Sequence, residues 1–287
     1  MKVLVAGGDR VDAGKTTFAV GFAAAEEVLA AFKPRAGNDY WFDHDDVRAA
    51  TDDGRLYGKD VSRLVDAAAP TVAPEARNPI HRLWRPTPGR TGMLGEQGRT
   101  FLVDRVSVGA GSGGEDGADS AEWVVNAAAA EADLIPSVVR DSLPLGDARE
   151  VDSVAAFNDA MRDLHVPALE RTTEAVRAAD AALVESYSDI ADPLRDVDYD
   201  AVAVVDPGRA RIYDGDRWGV AREAVAGSDQ QGQLEERVGP LTELVDPVST
   251  HRLPALTAEQ RADPDAVAAA NADAYDALRE AAAATAD

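Results

Sequence analysis

Ten residues near the start of the chain, Gly8-Asp9-Arg10-Val11-Asp12-Ala13-Gly14-Lys15-Thr16-Thr17, join glycines, an ammonium and two hydroxyls in an order suited to gripping phosphate. Glycine lets backbone amides approach an anion closely. A lysine directly after the second glycine reaches the β- and γ-phosphates, and the hydroxyl after it ligates Mg²⁺. Gly14-Lys15-Thr16-Thr17 has the ending of a Walker A loop. The first glycine usually stands five residues before Gly14; here Asp9 is in that place, and Gly8 opens a loop one residue longer. Asp12 is a candidate for orienting water or substrate. The bland alternative is a Gly-Lys-Thr sequence that merely starts a helix.

Three further residues have types that fit such a site. Glu185 ends the apolar run Asp180-Ala-Ala-Leu-Val-Glu185, where a buried carboxylate is costly unless a metal or water meets it. Lys33 precedes Pro34, which favours an extended backbone and a side chain directed to a cleft, or else to the surface. Asp60, an acidic residue like many others in the chain, reads from its surroundings as a helix-start aspartate. Tyr40, Trp41 and His44 follow the Lys33-Pro34 segment and suit packing better than closure over a substrate. His81, His165 and His251 have no zinc spacing, and the chain has no cysteine, so a thiolate site, a Cys nucleophile and a disulfide framework are excluded.

The elements that must position these residues follow from short apolar runs alternating with helical patterns. Lys2 to Ala6 reads as a strand that ends in the glycine loop, and Lys15 to about Ala31 as the helix after it. A second strand ends near Phe32, followed by a loop from 34 to 46, helices near 45–51 and 58–69, and an irregular Pro-rich connection over 70–88. A strand is expected over 99–108, a Gly-rich loop over 109–117, helices over 121–132 and 153–179, and buried strands over 180–185 and 201–205. A hairpin turning at Asp214-Gly215, a last strand over 241–245 and an Ala-rich helix from 263 to 286 complete the reading. This is an α/β pattern: a mostly parallel central sheet with helices on both faces, in a three-layer α/β/α arrangement of the P-loop NTPase kind. The expectation is one domain over 1–287, with an insertion-like region at about 90–150.

With 52 acidic against 29 basic residues the formal charge is −23, which disfavours a nucleic-acid partner because phosphate is repelled. Abundant Asp and Ala with lysine only at 2, 15, 33 and 59 is similar to the composition of salt-in halophilic proteins. An acidic run such as Asp43 to Asp46 then reads as a solvated face. No apolar stretch reaches membrane-spanning length, and the N-terminal run is too short for a signal segment; the expectation is a cytoplasmic protein without a membrane partner.

The longer loop, G-x-x-x-x-x-G-K-T, resembles that of dethiobiotin synthetase and its relatives, including the amidating synthetases of cobalamin assembly. Phe32-Lys33-Pro34-Arg35-Ala36-Gly37 resembles that family's K-P-x-x-x-G segment, whose lysine contacts the amine substrate and its carbamate. Gly58-Lys59-Asp60, with Asn78-Pro79 eighteen residues after Asp60, resembles its Mg²⁺-binding aspartate and downstream N-P. Asp180 to Glu185 resembles its Walker B strand. The likeness covers roughly the first 90 residues and 175–205. It implies ATP and Mg²⁺ as cofactors, Thr16, Asp60 and Glu185 at the metal, Lys15, Lys33 and Asp12 in catalysis, and a ligase acting on a small carboxylate or amine in a homodimer. The chain departs from the family at Arg10-Val11, where an Asp-Thr pair is usual, and at Glu185-Ser-Tyr-Ser-Asp189, where Glu-Gly-x-Gly-Gly is usual. Val205-Asp206-Pro207-Gly208-Arg209 occupies the base-recognition region. Arg10 stands where partition-type ATPases carry a signature lysine, which opens a second reading: an ATPase whose nucleotide state controls dimerisation or partner binding. An exposed loop arginine is the plain alternative.

Overall fold

A computed structural model describes residues 1–9, 13–26, 29–68, 72–109, 121–225 and 236–285. The chain is α/β. It divides into two compact units, one formed by 1–34, 63–70 and 173–287, the other by 35–62 and 71–172. The region near 90–150 is part of this second unit and contributes to its sheet.

In the first unit six strands run in the order Ser249–Arg252, Arg209–Asp214, Ala201–Asp206, Lys2–Gly7, Ala182–Glu185, Ala30–Phe32. The last four are mutually parallel, and the first two are antiparallel additions at one edge. The parallel strands are apolar between their ends because both faces are covered. Val3 and Val5 share a core with Phe18 and Phe22 of the helix Lys15–Ala24 and with Tyr275 and Leu278 of the helix Ala272–Thr285. Tyr275 packs edge-on against Phe18 at 4.8 Å and Phe22 at 5.5 Å, and its hydroxyl donates to the Phe18 carbonyl at 2.9 Å. Burying each such ring contributes about 1.5–3 kcal/mol.

The second unit has a five-stranded mixed sheet in the order Arg35–Asp39, Ile80–Thr91, Gln97–Ser107, Ala121–Asn126, Arg149–Val151. Only its two outer pairings are parallel. The helices Val154–Ala160 and Val166–Ala178 are joined through one wide turn, Met161–His165, within the helical stretch expected over 153–179.

Several expected elements differ. The stretch 70–88 is not irregular: it holds the short helix Pro74–Arg77 and the start of the strand Ile80–Thr91. The neighbour Arg35–Asp39 ends opposite Trp84, so Pro86 and Pro88 fall where that side of the strand has no ladder to break. That neighbour lies in what reads as a loop; Arg-Ala-Gly-Asn-Asp carries no β signal, and pairing alone makes it a strand. Residues 121–126 are a strand rather than a helix start, and the short helix Ala127–Glu131 begins where the Asn126 side chain accepts from the Ala129 amide. The first helix stops at Ala24, well before the expected Ala31. Residues 238–242 form a helix, and the last strand is Ser249–Arg252. The expected loop over 109–117 lies outside the described residues beyond Gly109.

The expected turn at Asp214-Gly215 is a helix start. The actual hairpin turns at Pro207-Gly208, where Asp206 faces Arg209 and Gly208 has φ 76°. Gly215 instead opens the helix Gly215–Val225 hard against the backbone of residue 199: a Cβ there would fall 1.6 Å from the Tyr199 carbonyl oxygen. Gly215→Ala is therefore expected to cost at least about 1–3 kcal/mol, because backbone rather than a flexible side chain must move. Urea denaturation followed by the fluorescence of Trp218, three residues on, measures this loss.

Candidate functional site

Strand Lys2–Gly7 delivers the chain to the glycine segment, and the Gly8 amide donates to the Val205 carbonyl at 2.9 Å, carrying the sheet one residue further. Gly14 takes φ 86°, a left-handed conformation that glycine adopts at little cost, and from it the helix Lys15–Ala24 begins. No side chain among the described residues caps that helix, and its first turn holds no acidic residue. Its leading amides and the positive end of its dipole thus carry no carboxylate of their own helix, the electrostatic condition for meeting an anion. Ala13 is buried, Gly14 and Asp9 are exposed, and Lys15, Thr16 and Thr17 are half-buried. Arg10, Val11 and Asp12 lie outside the described residues.

Three of the residues singled out by type and pattern meet at one atom. Thr16 Oγ1 donates to Glu185 Oε1 at 2.6 Å, and Lys33 Nζ donates to the same oxygen at 2.9 Å. Lys33 Nζ also lies 3.3 Å from Thr16 Oγ1. Residue 185 is fully buried and Lys33 is 7% exposed, so this is an ion pair out of bulk water. Strand pairing explains the meeting. Val5 is opposite Glu185, and Phe32 opposite Val184, so Glu185 closes its strand between the strand leading into the loop and the strand leading to Lys33. The second carboxylate oxygen, Glu185 Oε2, is buried and has no hydrogen-bond partner among the described residues. An unmet buried carboxylate oxygen costs roughly 1–3 kcal/mol or more, so it is a natural seat for a cation or a water.

Lys15 does not join this group. Its ammonium donates to the Ser188 carbonyl at 2.8 Å. Ser188 has φ 50°, the left-handed conformation glycine would supply, in the segment Glu185-Ser-Tyr-Ser-Asp189. The turn is held by Ser186, whose hydroxyl donates to the Ile190 carbonyl at 2.6 Å, and by Arg237, which donates to both carboxylate oxygens of Asp189 at 2.6 and 2.8 Å. Burial pushes the Asp189 carboxyl up, but hydrogen bonds from Arg237, its own amide and Ser188 outweigh that and hold it below its usual range. Asp206, in the region read as base recognition, pairs with Arg209 and Arg211.

Asp60 stands exposed in the first turn of the helix Lys59–Ala68 and belongs to the second unit. Asn78 is fully buried and structural: its side-chain amide donates to the Ile80 carbonyl at 3.0 Å. Among the described residues no group of three or more His, Cys, Asp and Glu is placed to hold a metal ion. Two features had no sequence signal. One is the Lys33–Glu185 pair, formed across 152 residues. The other, in the second unit, is a buried cluster in which Arg82 grips Asp104 with two bonds of 2.6 Å, and His165 Nε2 stands 3.3 Å from the same carboxylate.

No family model, curated protein or solved structure matches this chain.

Proposed function

We propose that the chain is an Mg²⁺-ATP-dependent P-loop enzyme of the dethiobiotin-synthetase-like kind, activating a small carboxylate or carbamate for attack by an amine. The observation that supports this most is the convergence of Thr16 and Lys33 on Glu185 beside the start of the glycine-led helix. A carboxylate and a hydroxyl are the hard oxygen donors Mg²⁺ prefers, and the unmatched Glu185 Oε2 is where a cation is wanted, so these residues fit the ion. Thr16 and Glu185, both of the first unit, would hold it. Bound with ATP, Mg²⁺ neutralises charge on the phosphates.

The chain's own residues divide the rest. The helix-start amides bind the phosphates, and Lys15, resting on the Ser188 carbonyl, supplies an ammonium at the same helix end. Lys33 balances the Glu185 charge, and its ammonium is the cation that this side of the site would present to an anionic substrate. Electrostatic stabilisation of this sort requires charges fixed in advance, which burial of Lys33 and Glu185 favours.

Calorimetry in concentrated KCl is expected to show heat on adding ATP-Mg²⁺, and Lys15→Ala to weaken association at least about tenfold, since a hydrogen bond to a charged group contributes roughly 1.5–3 kcal/mol. Absence of heat, or an unchanged affinity in Lys15→Ala, overturns the proposal. If ATP hydrolysis responds to no small carboxylate or amine while ATP raises the particle mass in light scattering, the partition-type reading motivated by Arg10 replaces the ligase reading.

A further inference from the structure

The second unit contains a cavity of about 170 Å³ lined by Arg55, Glu75, Arg105 and Trp123, with Gly54 and Pro144 at its wall. Arg105 is the unusual member. It is 2% exposed, yet among the described residues every acceptor on its guanidinium is neutral: Nε donates to the Leu56 carbonyl at 2.8 Å, Nη1 to Ser107 Oγ, and Nη2 to the carbonyl and side-chain oxygen of Asn78. These are four acceptors for five N–H groups. The carboxylate in the cavity, Glu75, is itself 3% exposed and is already gripped from two sides by Arg55, whose Nε donates at 2.7 Å. The cavity thus holds two guanidiniums and one carboxylate, and its lining carries a net positive charge inside a chain whose formal charge is −23.

A buried cation without its own counter-ion is costly, because desolvation is not returned as Coulomb attraction. The cost is visible in Arg105, which burial pulls down to about 10. A small anion entering the cavity would supply the missing charge and accept the remaining N–H. Planar guanidinium donors match the paired oxygens of a carboxylate or phosphate better than they match a spherical ion. Asn78 and Ser107 hold Arg105 on its other sides, so the donor is fixed before a ligand arrives. Trp123, 7% exposed, forms an apolar wall that keeps water from screening the charge.

We propose that this cavity is a binding site for a small oxyanion, a carboxylate or phosphate group, seated against Arg105 and Arg55 beside Trp123. The proposal rests on residues of the second unit alone and stands or falls apart from nucleotide binding.

The test is titration of the full chain with inorganic phosphate and, separately, with acetate, at constant ionic strength, following tryptophan fluorescence with Trp123→Phe to assign the signal. A saturable change lost in Trp123→Phe is expected. A response to phosphate alone, to acetate alone or to both supports the site and identifies which group it takes. Glu75→Gln keeps an acceptor for Arg55 but removes the competing negative charge, and should tighten binding about tenfold or more, whereas Arg105→Lys should weaken it by a similar factor. If Arg105→Lys does not fold, Glu75→Gln decides the matter, because loss of a purely structural ion pair gives no reason for tighter binding. No saturable response to either anion, or unchanged or weaker binding in Glu75→Gln, overturns the proposal.

Discussion

Lys33→Met is expected to lower the stability of the first unit by about 3–5 kcal/mol, the usual consequence of removing one partner from a buried ion pair. Lys33 Nζ sits 2.9 Å from Glu185 Oε1, and the carboxylate is wholly removed from solvent with its other oxygen already unmatched. Without the ammonium, one hydroxyl, that of Thr16, remains on the charge. The uncompensated charge must then draw in water, which weakens the junction of three strands. The double variant Lys33→Met/Glu185→Gln removes both charges and keeps an acceptor for Thr16, so most of the loss should be recovered. Urea denaturation read through Trp218, which lies in the first unit, measures the cycle. Additive losses in the double variant would show that the two side chains do not stabilise one another. The proposed function adds a second readout: Mg²⁺ should raise the midpoint of Lys33→Met more than that of the wild type, since the vacated carboxylate is open to a cation.

In the second unit the corresponding residue is Asp104. Asp104→Ala is expected to cost about 3–5 kcal/mol, because it strips the wholly buried counter-ion from the half-buried Arg82 and the partner from buried His165. Arg82 is enclosed by rings: its guanidinium carbon lies 5.3 Å from the Trp84 centroid, 5.1 Å from Phe101 and 5.0 Å from Phe157. Those contacts offset part of the desolvation of the cation but satisfy none of its in-plane N–H groups. Burial by itself would raise the Asp104 carboxyl; the Arg82 charge and its two hydrogen bonds, with His165 close by, outweigh burial and hold it well below the usual carboxylate range. The sign of the pH dependence follows. A carboxyl with a lowered folded-state pKa contributes its full stability above the unfolded value, about 3.9, and loses it as pH falls below that point. The stability gap between wild type and Asp104→Asn should therefore be constant near neutrality and narrow below about pH 4. Acid titration of the denaturation midpoint of both proteins checks this, and a gap that widens on acidification would refute it.

What the sequence by itself determined is the local part of this protein. The runs at 2–7, 182–185 and 201–206 are apolar enough, and ended sharply enough, to be strands in any compact arrangement, and Gly14 before Lys15 marks a helix start from neighbouring residues alone. The candidate site was legible to the same extent: Thr16, Lys33 and Glu185 were each identifiable from type and immediate context. Tertiary structure decided what is shared between distant segments. Arg35–Asp39 is a strand only because Ile80–Trp84 lies beside it, and Asp214-Gly215 begins a helix close against the Tyr199 backbone after a strand that has already turned back on Ala201–Asp206. It was also the tertiary structure that set Lys33 on Glu185 and Lys15 on the Ser188 carbonyl, and that gathered Arg82, Asp104 and His165 into one cluster. The physical reason is range. Propensity and capping act over a few residues and leave a trace in the order of side chains, whereas desolvation and charge pairing act between whichever groups the sheet brings within about 3–4 Å, at any separation along the chain.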